Sequence, residues 1–146
     1  MTEPLSQIDL NDTFKIGVDS IDQEHAFLVG LYNDLARRIE SDDTPGALME
    51  TAVQKLFGYA DYHFASEERV MRLTGFPELD HHRRQHESFI RSLNDLVADR
   101  GAGDRAALRA IAAFVGQWIR GHILVTDKLF GEYVVASAPA VRPSAG

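Results

Sequence analysis

Residues 49–70 read METAVQKLFGYADYHFASEERV. Met49, Val53, Leu56, Ala60 and Val70 fall on one line with His63 and Glu67, stepping by four and three residues. This is the rhythm of a helix that presents one seam to a bundle core. The stretch therefore predicts a core-facing helix and places an imidazole and a carboxylate inside that core.

The same rhythm extends outward on both sides. One seam carries Ile21, His25, Leu28, Tyr32, Leu35 and Ile39, and a second carries Leu79, His82, His86, Phe89, Leu93 and Leu96. The last carries Leu108, Ile111, Val115, Trp118, His122, Val125 and Leu129. Breakers separate the segments: Asp42 to Gly46, Thr74 to Pro77, and Gly101 to Gly103. Ser20 with Gln23 reads as a capping box, Thr44-Pro45 as the cap and first residue of the second helix, and Asp104 as the cap of the fourth. No segment alternates as a half-buried strand does. Four such helices with short connections predict an all-α fold, an antiparallel up-down-up-down four-helix bundle. Residues 1–18 are expected as an N-terminal arm, 19–135 as the bundle, and 136–146 as a short flexible, disordered tail.

Composition narrows the function. The chain has 146 residues, the size of one domain, and a formal net charge of −7. No basic stripe is present, which argues against nucleic acid as a partner. The chain has no cysteine, so disulfides, iron–sulfur clusters and thiolate zinc sites are excluded. The N-terminus lacks a secretory pattern, and no apolar run reaches the length of a membrane span. The expected location is cytoplasmic, with no membrane partner.

Five of the six histidines lie on the seams with Glu67. A lone core histidine is ordinarily a satisfied structural residue. An ionised carboxylate is harder to accommodate, because its burial costs several kcal/mol unless it is paired or bound to a cation. No seam supplies Lys or Arg. Height along the bundle adds a second constraint. His25 lies 17 residues before Asp42 and His63 lies 19 after Thr44. At about 1.5 Å per residue the two come level, and His82, His86 and His122 fall at the same end. His63 and Glu67 are four apart, as are His82 and His86, so each pair shares a helix face. Imidazole and carboxylate suit iron, zinc, manganese or nickel. Five imidazoles and one carboxylate exceed a four-coordinate zinc site and point to two metal ions.

The segments Ile21-Asp22-Gln23-Glu24-His25, His63-Phe64-Ala65-Ser66-Glu67-Glu68, His82-x-x-x-His86-x-x-Phe89 and Trp118-Ile119-x-x-His122-Ile123-x-x-x-Asp127 resemble the hemerythrin family, in that family's order, over roughly residues 8 to 133. The resemblance implies two non-haem irons bridged by Glu67, Asp127 and a solvent-derived oxo or hydroxo group. It implies that His82, His86 and His122 complete a six-coordinate iron, while His25 and His63 hold an iron with an open position. Asp127 enters only through the resemblance. It stands about 140° round an ideal helix from His122 and reads from the residues alone as a surface group.

The function implied is reversible dioxygen binding, for storage, delivery or sensing, rather than catalysis. Small anions would compete at the open position, and an oxygen-consuming protein is a possible recipient. A di-iron redox enzyme, acting on peroxide or nitric oxide, and an iron reservoir are the alternatives. Phe64, Trp118, Ile119 and Ile123 are expected to form an apolar oxygen pocket. His81 lies off the seam and reads as a surface residue or one behind the ligands rather than a ligand, and Glu24 and Glu68 read as solvated charges. Leu10 stands where the family commonly has Trp.

Overall fold

The computed structural model describes residues 5–41, 46–100 and 105–137. Helix α1 spans Asp19–Glu40, α2 Gly46–Thr74, α3 Leu79–Arg100 and α4 Arg105–Gly121. A π-helical turn over His122–Asp127 joins α4 to α5, Lys128–Ser137. The backbone stays right-handed helical at Gly121 and Lys128, so α4, the π turn and α5 run on without a loop. Helix α1 packs against α2 and α4, and α3 packs against the same two. With short connections this is the antiparallel four-helix bundle that the seams predict. Among the described residues no helix is long and apolar enough to cross a membrane.

Each seam buries its apolar residues in the same order of layers. A large cluster takes Leu28, Tyr32 and Leu35 from α1, Val53 and Leu56 from α2, Phe89 and Leu93 from α3, and Leu108, Ile111 and Val115 from α4. A smaller cluster of Ile16, Ile21, Met71, Phe76 and Phe130 closes the other end. The polar residues of the seams lie between these two along the chain. Burial at about 25 cal/mol per Å² of apolar surface drives both clusters, and the polar layer is carried in with them.

Helix ends show where local sequence acts. Gly75, at φ +70°, follows α2, with Gly75 N–H donating to Arg72 O and Phe76 N–H to Met71 O. This is a Schellman ending, and its apolar contact joins Phe76 to Met71 in the small cluster. The capping box at Ser20 does not form. Helix α1 starts two residues earlier than that cap implies, at Asp19 after Val18, and the Asp22 carboxylate accepts from the Ile16 and Gly17 N–H groups instead. Thr44, Pro45, Asp104 and residues 138–146 of the expected tail lie outside the described residues, and Ala136 and Ser137 belong to α5.

The fourth seam departs from expectation after His122. Val125 and Leu129 are 64% and 59% exposed, while Asp127 and Phe130 are fully buried. In a π turn residue i bonds to i+5, so one extra residue is taken up and the following side chains rotate back. The turn brings Asp127 under His122 and delivers Phe130 to the small cluster. A smaller shift replaces Val70 by the fully buried Met71 on α2.

The arm is not a loose appendage. Ile8, Phe14 and Ile16 are buried, and Asn33 of α1 bonds both the N–H and C=O of Ile8. Leu10 stays 45% exposed, so the arm packs without it. At Gly131 an added Cβ would stand 1.9 Å from the Ile16 carbonyl oxygen, a backbone atom that cannot swing away. Gly131→Ala is therefore expected to destabilise the fold by about 1–3 kcal/mol or more, read as a lower midpoint in thermal or urea unfolding. Gly121→Ala, where a Cβ meets nothing, should be neutral or slightly stabilising. Equal midpoints for the two variants would show that the arm does not seat against α5.

Candidate metal centre

Between the two apolar clusters all four rods contribute polar side chains. His25 comes from α1, His63 and Glu67 from α2, His82 and His86 from α3, and His122 and Asp127 from the π turn. Each is buried to 95% or more, and Glu67 and Asp127 completely. The structure brings all seven together in two overlapping groups. One holds Glu67, His82, His86, His122 and Asp127, the other His25, His63, Glu67 and Asp127. Within each group the candidate ligand atoms lie within 4.8 Å of one another, and the two carboxylates belong to both.

The atoms point at shared centres more than at each other. The Nε2 atoms of His86 and His122 are 3.2 Å apart, and those of His122 and His82 3.0 Å. A proton on one ring can serve only one neighbour, so three facing nitrogens leave either lone pairs or N–H groups opposed. His25 Nε2 lies 2.9 Å from Asp127 Oδ2, yet neither atom is aligned for a hydrogen bond, and Glu67 Oε2 is likewise buried without a partner. Orphaned acceptors at this depth are costly, and a cation at each centre removes the conflict. Hard oxygen with imidazole nitrogen suits a first-row divalent metal. The residues fit two such ions.

Electrostatics agree with a site built for positive charge. Burial pushes the Glu67 carboxyl upward, as does Asp127, but His25, His82 and His86 reverse this and hold it well below the usual range. Burial likewise opposes the charged form of Asp127, and His122, His25 and His82 outweigh it. Burial disfavours the imidazolium of His25 and His82, yet Asp127 and Glu67 raise both to about 9. Burial dominates at His122 and lowers it.

Two groups expected to be solvated are tied to the site. Glu24 accepts from His63 Nδ1 at 2.8 Å and from the Ser66 hydroxyl at 2.7 Å. Glu68 accepts from His86 Nδ1, also at 2.8 Å. Such carboxylates fix the ring and the tautomer, leaving Nε2 free to ligate. Each neighbours a seam residue, but only the rotation of the helices shows that it faces an imidazole on another rod. His81 is exposed and bonds Gln85, as expected of a residue off the seam.

Aromatic rings brace the imidazoles. Phe64 stacks on His86 at 4.0 Å, and Trp118 on His122 at 4.1 Å. Phe64, Trp118 and Ile119 also line a narrow enclosed cavity with Leu28, Ala60 and Val115, too small for more than about one water-sized molecule. Ile123 is buried but does not line it.

Two outcomes follow for metal binding. Without metal, His25 and His82 hold protons at neutral pH, because their pKa values stand near 9. A cation must displace them, so metal uptake should release protons, and apparent affinity should climb with pH and level off above about 9. Calorimetry in buffers of different ionisation heat measures this, and proton-neutral uptake would contradict it. Glu24→Gln and Glu68→Gln should each weaken metal affinity by about 10–100-fold in competition with a chelator, while His81→Ala leaves it unchanged.

Comparison with known proteins agrees with this arrangement. Residues 16–134 match the model of the hemerythrin HHE cation binding domain. The chain is 29% identical to a bacteriohemerythrin of Clostridium acetobutylicum over 127 residues, covering 84% of this chain and 95% of the relative. It is 27% identical to a bacteriohemerythrin of Stenotrophomonas maltophilia, covering 86% and 80%. It is 30% identical to a myohemerythrin of Riftia pachyptila over 117 residues, covering 80% and 85%. The chain belongs to the hemerythrin family.

Proposed function

We propose that this chain binds dioxygen reversibly at a non-haem di-iron centre held by His25, His63, Glu67, His82, His86, His122 and Asp127. The observation that carries the reading is the pair of overlapping ligand groups with Glu67 and Asp127 common to both. Shared carboxylates are what a bridged pair requires. The groups are unequal, with five residues in one and four in the other. Imidazoles of His82, His86 and His122 crowd one position, and His25 and His63 leave the other less filled. The less filled position is where a small ligand enters.

Bound here, a ferrous pair supplies two electrons that dioxygen takes up on binding and returns on release. The chain's own residues make the exchange reversible. Five neutral imidazoles and only two carboxylates place little negative charge around the metals, which disfavours the higher oxidation states that cleave the oxygen–oxygen bond. Glu24 and Glu68 hold the rings of His63 and His86 in place. Phe64 and Trp118 pack on the rings of His86 and His122 and, with Ile119, line an apolar cavity, which limits the polar groups around these imidazoles. The family resemblance and this dry, nitrogen-rich site support carriage over catalysis.

The test is an oxygen cycle. The anaerobically reduced protein should take up about one dioxygen per pair of irons, develop visible charge-transfer absorption, and lose it under argon. The cycle should repeat without added reductant. A chain that needs fresh electrons at every turn is a redox enzyme, and one that sheds or accumulates iron is a reservoir. Either result would replace the carrier reading.

A further inference from the structure

The seven ligands do not serve the two centres equally. In the five-residue group the Nε2 atoms of His82 and His86 lie 3.0 and 3.1 Å from Glu67 Oε1, and those of His82 and His122 lie 2.8 and 3.0 Å from Asp127 Oδ1. The four-residue group is more loosely drawn. His25 Nε2 is 2.9 Å from Asp127 Oδ2 but 3.7 Å from Glu67 Oε2, and His63 Nε2 is 3.9 Å from that same oxygen. The carboxylates are thus divided atom by atom. Glu67 Oε1 and Asp127 Oδ1 face three imidazoles at short range, while Oε2 and Oδ2 face two.

A second inequality lies on the far side of the rings. A neutral imidazole that ligates through Nε2 carries its proton on Nδ1. At His63 that proton is donated to Glu24, and at His86 to Glu68. Among the described residues His25 Nδ1 is the one such nitrogen of the five rings that is buried with no partner. Metal on His25 therefore leaves a buried N–H unsatisfied, and the ring lacks the acceptor that would orient it and strengthen it as a ligand. Charge separates the two positions further. An ion in one position neutralises both shared carboxylates and repels a second ion beside it, so whichever position fills second binds more weakly again.

We propose that the two positions fill in order. The position of His82, His86 and His122 takes the first ion and keeps it, and the position of His25 and His63 takes the second and exchanges it. The chain then has a stable one-ion form, and its second position accepts another first-row divalent ion in place of iron. This rests on the two-ion reading above. It makes dioxygen binding depend on the exchangeable position, because the two electrons that dioxygen takes up require iron in both.

The experiment adds ferrous ion in steps, without oxygen, to the full chain freed of metal by a chelator, and counts the ions per chain by native mass spectrometry. At one equivalent most chains should carry one ion, and the second should bind at least about tenfold more weakly, the effect of one missing orienting partner alone. Glu24→Gln should weaken the second step and spare the first, whereas Glu68→Gln should weaken the first. Zinc, which such ligands hold more tightly than ferrous ion, should replace one iron of the loaded chain and leave a form with one iron and one zinc. Chains that carry either no ion or two at every ratio would overturn the ordered filling and leave the two-ion reading intact. So would a Glu24→Gln variant that weakens the first step. Saturation at one ion per chain would overturn the two-ion reading and the ordered filling with it.

Discussion

Two carboxylates, Glu67 and Asp127, are wholly buried among five imidazoles between two apolar clusters. The rest of the architecture answers this placement. Two negative charges at such depth are untenable alone, and among the described residues only histidines pair with them. Protons can settle part of the conflict, as the raised pKa values of His25 and His82 show. They cannot settle all of it, because three ring nitrogens from His82, His86 and His122 face one another. Cations at two centres would give the facing ring nitrogens and the unpartnered Glu67 and Asp127 oxygens common partners.

Each rod serves this layer in the same way. Ile21, His25 and Leu28 on α1 run from the small cluster through the site into the large one, and Met71, Glu67, His63 and Ala60 repeat the order on α2. Apolar layers on both sides fix the height of the helices and so bring ligands from four rods level. The same layers keep water away from the centre, so packing that stabilises the bundle also sets the chemistry of the site. The arm contributes by placing Ile16 in the small cluster, against the smooth surface at Gly131.

Much of this was legible in the sequence. The three- and four-residue steps named the seams, and height placed His25, His63, Glu67 and the three later histidines at one end. What escaped was whatever depends on a local change of helical period or on rotation about a helix axis. The π turn is invisible to a rule based on 3.6 residues per turn, so spacing put Val125 and Leu129 inside and left Asp127 to be supplied by the family resemblance alone. A signal was present in Phe130, a large ring one position off a seam that offered Leu129. Glu24 and Glu68 escaped for the second reason. Their partners lie on other rods, and sequence spacing alone does not say which way a flanking residue turns. Acids beside seam residues that carry ligating atoms were the available hint.

Anomalous X-ray scattering from crystals of the iron-loaded protein, with data on either side of the iron absorption edge, tests the central claim most directly. The account predicts two iron peaks per chain, with Glu67 and Asp127 each reaching both, three imidazoles on one and two on the other. A single peak, or two peaks that share neither carboxylate, would contradict it.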